Sequence, residues 1–597
     1  MRTFTILRLS LLTLTITACS TLPVRMPEVS TGRIGPQAEK QADAYYHFMT
    51  GTLLEQEGSL DAARAEYETA LDLDPRSADV AGALAALSLH QGRTDDAVRY
   101  GQQAVELDPT RTENLMLLAG IDSGLKKYDE AIELYRKVIA LDPSQEDAYV
   151  YLGSLYAGLK RYDEAIKTFQ TLEQKSPGTL MAPYYLGRIY TERKMYPEAL
   201  KAFQQAVAAR DDFEPAYTGM GVVYELMNRP KDAIEAYKRA IALNPHNLDI
   251  RQRVVQLYIQ ENALDDALEQ LRDLVTIDAK NYDAYVKMGL IAVEKQDYQE
   301  AVKDFRIVLL GVPDNIRVRH YLGTVLIAME EYDAALKEYA EILRLAPDDT
   351  DAILQTAYLY AQLGRVKDAV PLLKKAIEDQ PGKADLYLYL ANAYEDLQQY
   401  DDAVTVLKEG IAIAPDRDDL YFSLVVAYEK LGKRDDMIAA LKKTLELKPD
   451  NADALNYLGY TYAEAGEHLD EALQMIKKAL EIKKDSGYIL DSLAWVYYQK
   501  GMYKEALDAI TRAIDKSDDD PVMREHYGDI LLKLDRKDQA REQWLHSLKL
   551  DPGNQKLRDK FRKAGFGDPD LLVKPGTPVK PKARDKKEMP GQGKEKP

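Results

Sequence analysis

Small and apolar residues return along most of the chain on a fixed beat of 34. Ala63, Ala97, Ala131, Ala165, Ala199, Ala233, Ala267, Ala301, Ala335, Ala369 and Ala403 follow one another at that spacing, and Met437 keeps the step. One extra residue near His468 moves the frame by one, after which Ala472, Ala506 and Ala540 resume it. Twelve positions before most of these alanines stands another small residue, such as Gly51, Ala85, Gly153, Gly187, Gly323 or Ala391, with Val255 and Val425 as departures. A tyrosine often follows three positions later, as at Tyr156, Tyr190, Tyr360 and Tyr497. Four positions after the alanine comes a large apolar side chain, such as Phe169, Phe203, Phe305 or Trp544. This spacing predicts two amphipathic helices per unit, with paired small residues letting them approach closely. Prolines twelve positions after the alanine, among them Pro75, Pro177, Pro347 and Pro552, are expected to end the second helix, since proline lacks the amide donor and clashes with the preceding turn.

A period of this length means stacked units that bury a continuous core only together. Segments such as YLGSLYAGLKRYDEAIKTF, Tyr151 to Phe169, resemble the tetratricopeptide repeat, whose pattern is Leu-Gly-x-x-Tyr, Ala-x-x-x-Phe, then Pro. The resemblance implies an all-α fold: a right-handed superhelical solenoid of about fifteen helix-turn-helix units over residues 44–554, with an extended concave groove. Where the proline is missing, at Asp211, Ala279, Lys483 or Lys484, and Asp518, local bends are expected. Residues 555–567, with Leu557, Phe561 and Ala564 at helical spacing amid charges, read as a C-terminal capping helix. Residues 568–597 turn to Pro, Lys and Gly and are expected to stay disordered.

The N-terminus has a different pattern. Residues 1–18 combine Arg2 and Arg8 with an apolar segment from Leu9 to Ile16, which is signal-peptide architecture and too short for a comfortable membrane span. Ile16-Thr17-Ala18-Cys19 resembles a bacterial lipobox, which implies cleavage before Cys19, lipid attachment to its sulfur and anchoring in a membrane. Ser20 resembles the signal for transport to the outer membrane, so the expected location is its periplasmic face. Cys19 is the only cysteine, so no disulfide is expected. Residues 19–43, rich in Pro and Gly, read as the lipid anchor followed by a flexible tether.

Charge narrows the partners. The net charge of −19 is spread along the chain, which argues against nucleic acid as a partner. The tail from Lys574 carries eight basic and three acidic residues, so an anionic polysaccharide, or the acidic solenoid itself, stands as its candidate partner. No His-Glu-x-x-His, Gly-x-Ser-x-Gly or complete phosphate loop occurs, and no pair among the seven histidines stands at metal-ligand spacing. No enzyme activity, metal or cofactor is therefore expected.

Binding remains. Family resemblance places the fifth and ninth positions of each unit on the concave wall, and the richest concave aromatic set lies in units ten to fourteen: Tyr358, Phe422, Tyr460, Trp495 and Tyr498. Rigid aromatics in a groove serve as binding anchors; packing against the next helix is the other reading of these rings. The co-chaperone variety of the repeat clamps a carboxylate with Lys and Asn at those two positions, and only Asn392 fits. Acids at the second position, such as Asp249, Asp351 and Asp453, suit helix N-termini. The expected function is a lipid-anchored scaffold for envelope proteins or peptides, in exopolysaccharide secretion, pilus or outer-membrane assembly, or recruitment of cell-wall enzymes. The alternatives are a carbohydrate- or peptidoglycan-binding protein and a cytosolic adaptor.

Overall fold

A computed structural model describes residues 36–517 and 519–574. Cys19, the signal segment and the basic tail from residue 575 lie outside the described residues. Within them the regular structure is 31 α-helices and one short 3₁₀ helix. The chain divides into two compact bodies, residues up to Gln270 and from Leu271 onward. In each, consecutive helices form hairpin pairs and each pair packs on the next. The all-α repeat fold expected from the 34-residue beat is the fold observed.

The period-setting alanines are the points of closest approach. Ala63, Ala165, Ala233, Ala335, Ala403 and Ala540 are each 0% exposed. The large residue one turn later is buried with them: Phe169, Phe305 and Trp544 are also at 0%. The small residue of the first helix makes room for that ring. A Cβ built on Gly153 would stand 2.4 Å from the Phe169 ring, and one on Gly187 would stand 2.7 Å from that of Phe203.

Most first helices have 13 residues and most second helices 14, as in Glu146–Gly158 followed by Tyr162–Lys175. Proline does not set that length. The second helices Tyr196–Ala209 and Leu469–Ile482 also have 14 residues, although the proline is missing after each. The sites where bends were expected leave no trace in helix length; the packed alanine face holds the register. The turn inside each pair relies on a left-handed residue instead. Lys160 has φ +61°, its amide bonds Ala157 O at 2.9 Å, and the Arg161 amide reaches back to Tyr156 O at 2.8 Å. Glycine supplies this conformation in only some units, so Lys126, Lys194, Asn228 and Glu330 adopt it with a side chain. The extra residue near His468 lengthens the helix Ala452–Ala465 to 14 residues, and Gly466 and His468 both take positive φ in the turn that follows.

Both ends correct the sequence reading. The first helix runs Pro36–Gln56, so residues 36–43 belong to it and not to a flexible tether. Among the described residues nothing precedes it in the stack, and Tyr45, Tyr46 and Leu53 are more than half exposed. At the other end the capping helix is Gln555–Lys563, and residues 569–571 add a 3₁₀ turn where disorder was expected. The cause is Arg558, 1% exposed, whose guanidinium donates to Pro552 O, to Val573 O at 3.0 Å and to the Asp570 carboxylate. Among the described residues no helix is long and apolar enough to cross a membrane.

Candidate partner-binding site

Three of the five groove aromatics come together in the second body. Tyr460 sits on helix Ala452–Ala465, Trp495 and Tyr498 on Gly487–Gln499. The rings of Trp495 and Tyr498 stack at 4.8 Å with 10° between planes, a direct result of their spacing of one helical turn. His526, on the next first helix, Pro521–Lys533, stacks on Trp495 at 4.2 Å and lies 6.4 Å from Tyr460. His526 thus joins rings from three successive units. Phe422 is half-buried against the main cluster of this body, and Tyr358 lies further down the array, packed on the cluster that includes Leu326, Tyr339 and Leu359. All five side chains are partly exposed, and Trp495 packs on the next helix as the alternative reading has it.

Beneath the rings is a charged layer that sequence reasoning missed. His526 Nδ1 and Asp491 Oδ1 are 2.9 Å apart, and both residues are over nine-tenths buried. Burial alone would lower the histidine's pKa, but Asp491, with Asp529 and Glu525 nearby, outweighs it and holds the proton more tightly than in a free histidine. Lys560, from the capping helix, donates to Asp529 at 2.6 Å and to Glu525 at 2.7 Å, and Trp544 Nε1 donates to Asp529 at 3.0 Å. Burial pushes the Asp529 carboxyl up against the opposing pull of Lys560. The only sequence signal for this layer is that Asp491 and His526 stand 35 residues apart, one repeat and one residue, which juxtaposes them across neighbouring first helices.

Next to the rings a cavity of about 380 Å³ is lined by Tyr428, Asn456, Tyr460, Glu464, Tyr488 and Asp491 among others. Asn456 Oδ1 is buried there with no hydrogen-bond partner, as is the Trp495 indole nitrogen nearby. The Tyr460 phenol is held protonated first by burial and then by the charges of Glu464, Asp491 and Glu525. The arrangement offers aromatic faces and an unsatisfied acceptor in a negative field. Among the described residues no group of three or more His, Cys, Asp or Glu is placed to hold a metal ion.

Models of the tetratricopeptide repeat match residues 48–112, 124–183, 224–290, 292–358, 360–428, 418–451, 440–474 and 492–554. No curated protein sequence matches the chain. Among solved structures it is similar to the APC/C hetero-tetramer Cut9-Hcn1, at 15% identity over 82% of this chain and 96% of that one, with a TM-score of 0.36. It is similar to yeast Tom70 at 17% identity over 78% and 97%, TM-score 0.32. A third likeness is to the MamA protein, 23% identical over 29% of this chain and 94% of that one, TM-score 0.26.

Proposed function

The chain belongs to the tetratricopeptide-repeat family, whose repeats bind proteins and peptides, and we propose that it works as a lipid-anchored interaction scaffold in a bacterial cell envelope. In this reading Cys19 carries the lipid, the segment up to Pro36 sets the reach, and the repeat array holds a partner from an assembly or export machine. The periplasmic face of the outer membrane is the proposed location, from the lipobox resemblance and Ser20. The observation that carries the binding role is the wall formed by Tyr460, Trp495, Tyr498 and His526 beside a cavity holding an unpaired amide oxygen. The partly exposed rings of Tyr460, Trp495 and Tyr498, braced by the buried His526, can bind a partner with little loss of side-chain freedom. Two rings already stack on Trp495, which leaves a sugar less of the indole face than an open platform would and favours a peptide over a glycan.

Membrane fractionation of the native host tests the anchor. The chain is expected in the membrane fraction, and Cys19→Ala is expected to move it to the soluble fraction. Equal partition of the two forms would contradict the anchored reading.

A further inference from the structure

The cavity beside Tyr460 has a definite chemical bias. It is bounded chiefly by the first helices Asp418–Lys430, Ala452–Ala465 and Gly487–Gln499, with Arg434 and Met437 of a second helix and Val522 of Pro521–Lys533 at its margin, so four successive units contribute. Four tyrosines, Tyr428, Tyr457, Tyr460 and Tyr488, contribute to the lining. Its charged lining residues are Glu429, Glu464 and Asp491 against a single cation, Arg434. That cation is engaged elsewhere: Arg434 Nη2 donates to Glu467 at 3.0 Å. Asp491 is held from behind by His526, and Glu429 lies 3.7 Å from the exposed Lys430. Among the lining side chains the buried polar atom without a partner is an acceptor, Asn456 Oδ1; the unpaired Trp495 indole N–H lies outside the lining. Aromatic faces attract cations, and a buried acceptor without a donor favours a ligand rich in N–H groups. An anionic group, such as a chain-terminal carboxylate, would meet Glu429 and Glu464 with no cation but Arg434, which is already held by Glu467.

We propose that this cavity receives the cationic side chain, Arg or Lys, of an extended segment of a partner protein. The guanidinium or ammonium donates to Asn456 Oδ1, lies against the tyrosine rings and is balanced by Glu464 and Glu429. The inference rests on the reading of this groove as a binding surface and adds the chemistry of what enters it. The sign is opposite to that of a carboxylate clamp: Asn456 and Tyr460 occupy the fifth and ninth positions of this unit, and neither is a cation.

The test is fluorescence anisotropy on the full chain with a labelled, terminally blocked hexa-arginine peptide and its hexa-citrulline counterpart, which keeps the shape and loses the charge. Hexa-arginine is expected to bind and hexa-citrulline to bind at least tenfold more weakly. Asn456→Leu, and separately Glu429→Gln with Glu464→Gln, should each weaken hexa-arginine about tenfold, while Glu133→Gln with Glu173→Gln, in the other body, should leave it unchanged. Asn456→Asp should tighten binding, so the inference stays testable should the leucine variant fail to fold. Equal affinity across wild type, Asn456→Asp and the double glutamine variant would overturn it, as would equal binding of the two peptides. A rise of tenfold or more on deleting residues 575–597 would also overturn it, because the chain's own basic tail would then be the occupant. Cavity variants that lose captured envelope proteins yet bind hexa-arginine normally would sink this inference and leave the scaffold reading standing. Cavity-dependent hexa-arginine binding with no protein captured would do the reverse.

Discussion

Glycine and lysine in one hairpin illustrate how differently two residues serve the same turn of chain. Gly153 is required for space, since a methyl group there would meet the Phe169 ring at 2.4 Å, whereas Lys160 stands at φ +61° where a side chain is only a burden. Gly153→Ala should therefore cost about 1–3 kcal/mol through overpacking. Lys160→Gly should add about 1 kcal/mol by removing the strain of a left-handed non-glycine residue. Urea melts of the two variants check both signs. The small residue was legible because it recurs with the beat; the left-handed turn residue was not, because lysine, asparagine and glutamate fill the position as often as glycine. His526 was equally hidden. Its partners Asp491 and Trp495 come from the preceding unit, so nothing within its own stretch of sequence marks it.

His526 also has a pH signature. Its folded-state pKa is raised by Asp491, Asp529 and Glu525 in spite of burial. The native state then keeps a proton that the unfolded chain releases near pH 6.5, so this contribution to stability is complete below that value and is lost as pH rises through the raised pKa. Trp495 and Trp544, the two tryptophans of the chain, both lie in these last units and report on them directly. Urea melts followed by tryptophan fluorescence should show stability falling as pH rises above 6.5, and His526→Gln should flatten that slope.

Among the elements, the helix pairs were legible and the ends were not. Periodicity locates an element that packs against copies of itself. The register survives even where the proline stop is missing, because the buried alanine face fixes it. Lysine above tyrosine also repeats between units: Lys374 over Tyr394, Lys408 over Tyr428 and Lys442 over Tyr462 lie 5.7 to 6.0 Å from the ring centres. Part of the tyrosine excess thus answers to a neighbouring unit's ammonium group. Residues 568–573 read as tail from composition, yet Arg558 draws them onto the capping helix. Removing that buried guanidinium in Arg558→Ala should cost about 1–3 kcal/mol locally, by leaving the Pro552 and Val573 carbonyls without their donor and Asp570 with Arg562 alone. Arg562→Ala, at a more exposed network, should cost much less. Hydrogen exchange across residues 555–573 distinguishes the two.

At the scale of the whole molecule, the groove aromatics were legible as a set but not in their grouping. Tyr460 and Trp495 meet His526, and Tyr498 stacks on Trp495, because three first helices stack in sequence, while Phe422 and Tyr358 pack on other parts of the array. The central claim is that an anchored array presents this gathered wall to a partner protein. The most direct measurement is photo-crosslinking in the native host from an unnatural residue at Tyr460, with the exposed Lys375 of helix Val366–Asp379 as the comparison position, in wild-type and Cys19→Ala backgrounds. The account predicts discrete protein adducts from position 460 in the membrane fraction, absent from position 375 and lost or sharply reduced with Cys19→Ala. Adducts equal at both positions, or none from position 460 in an anchored chain, would contradict it.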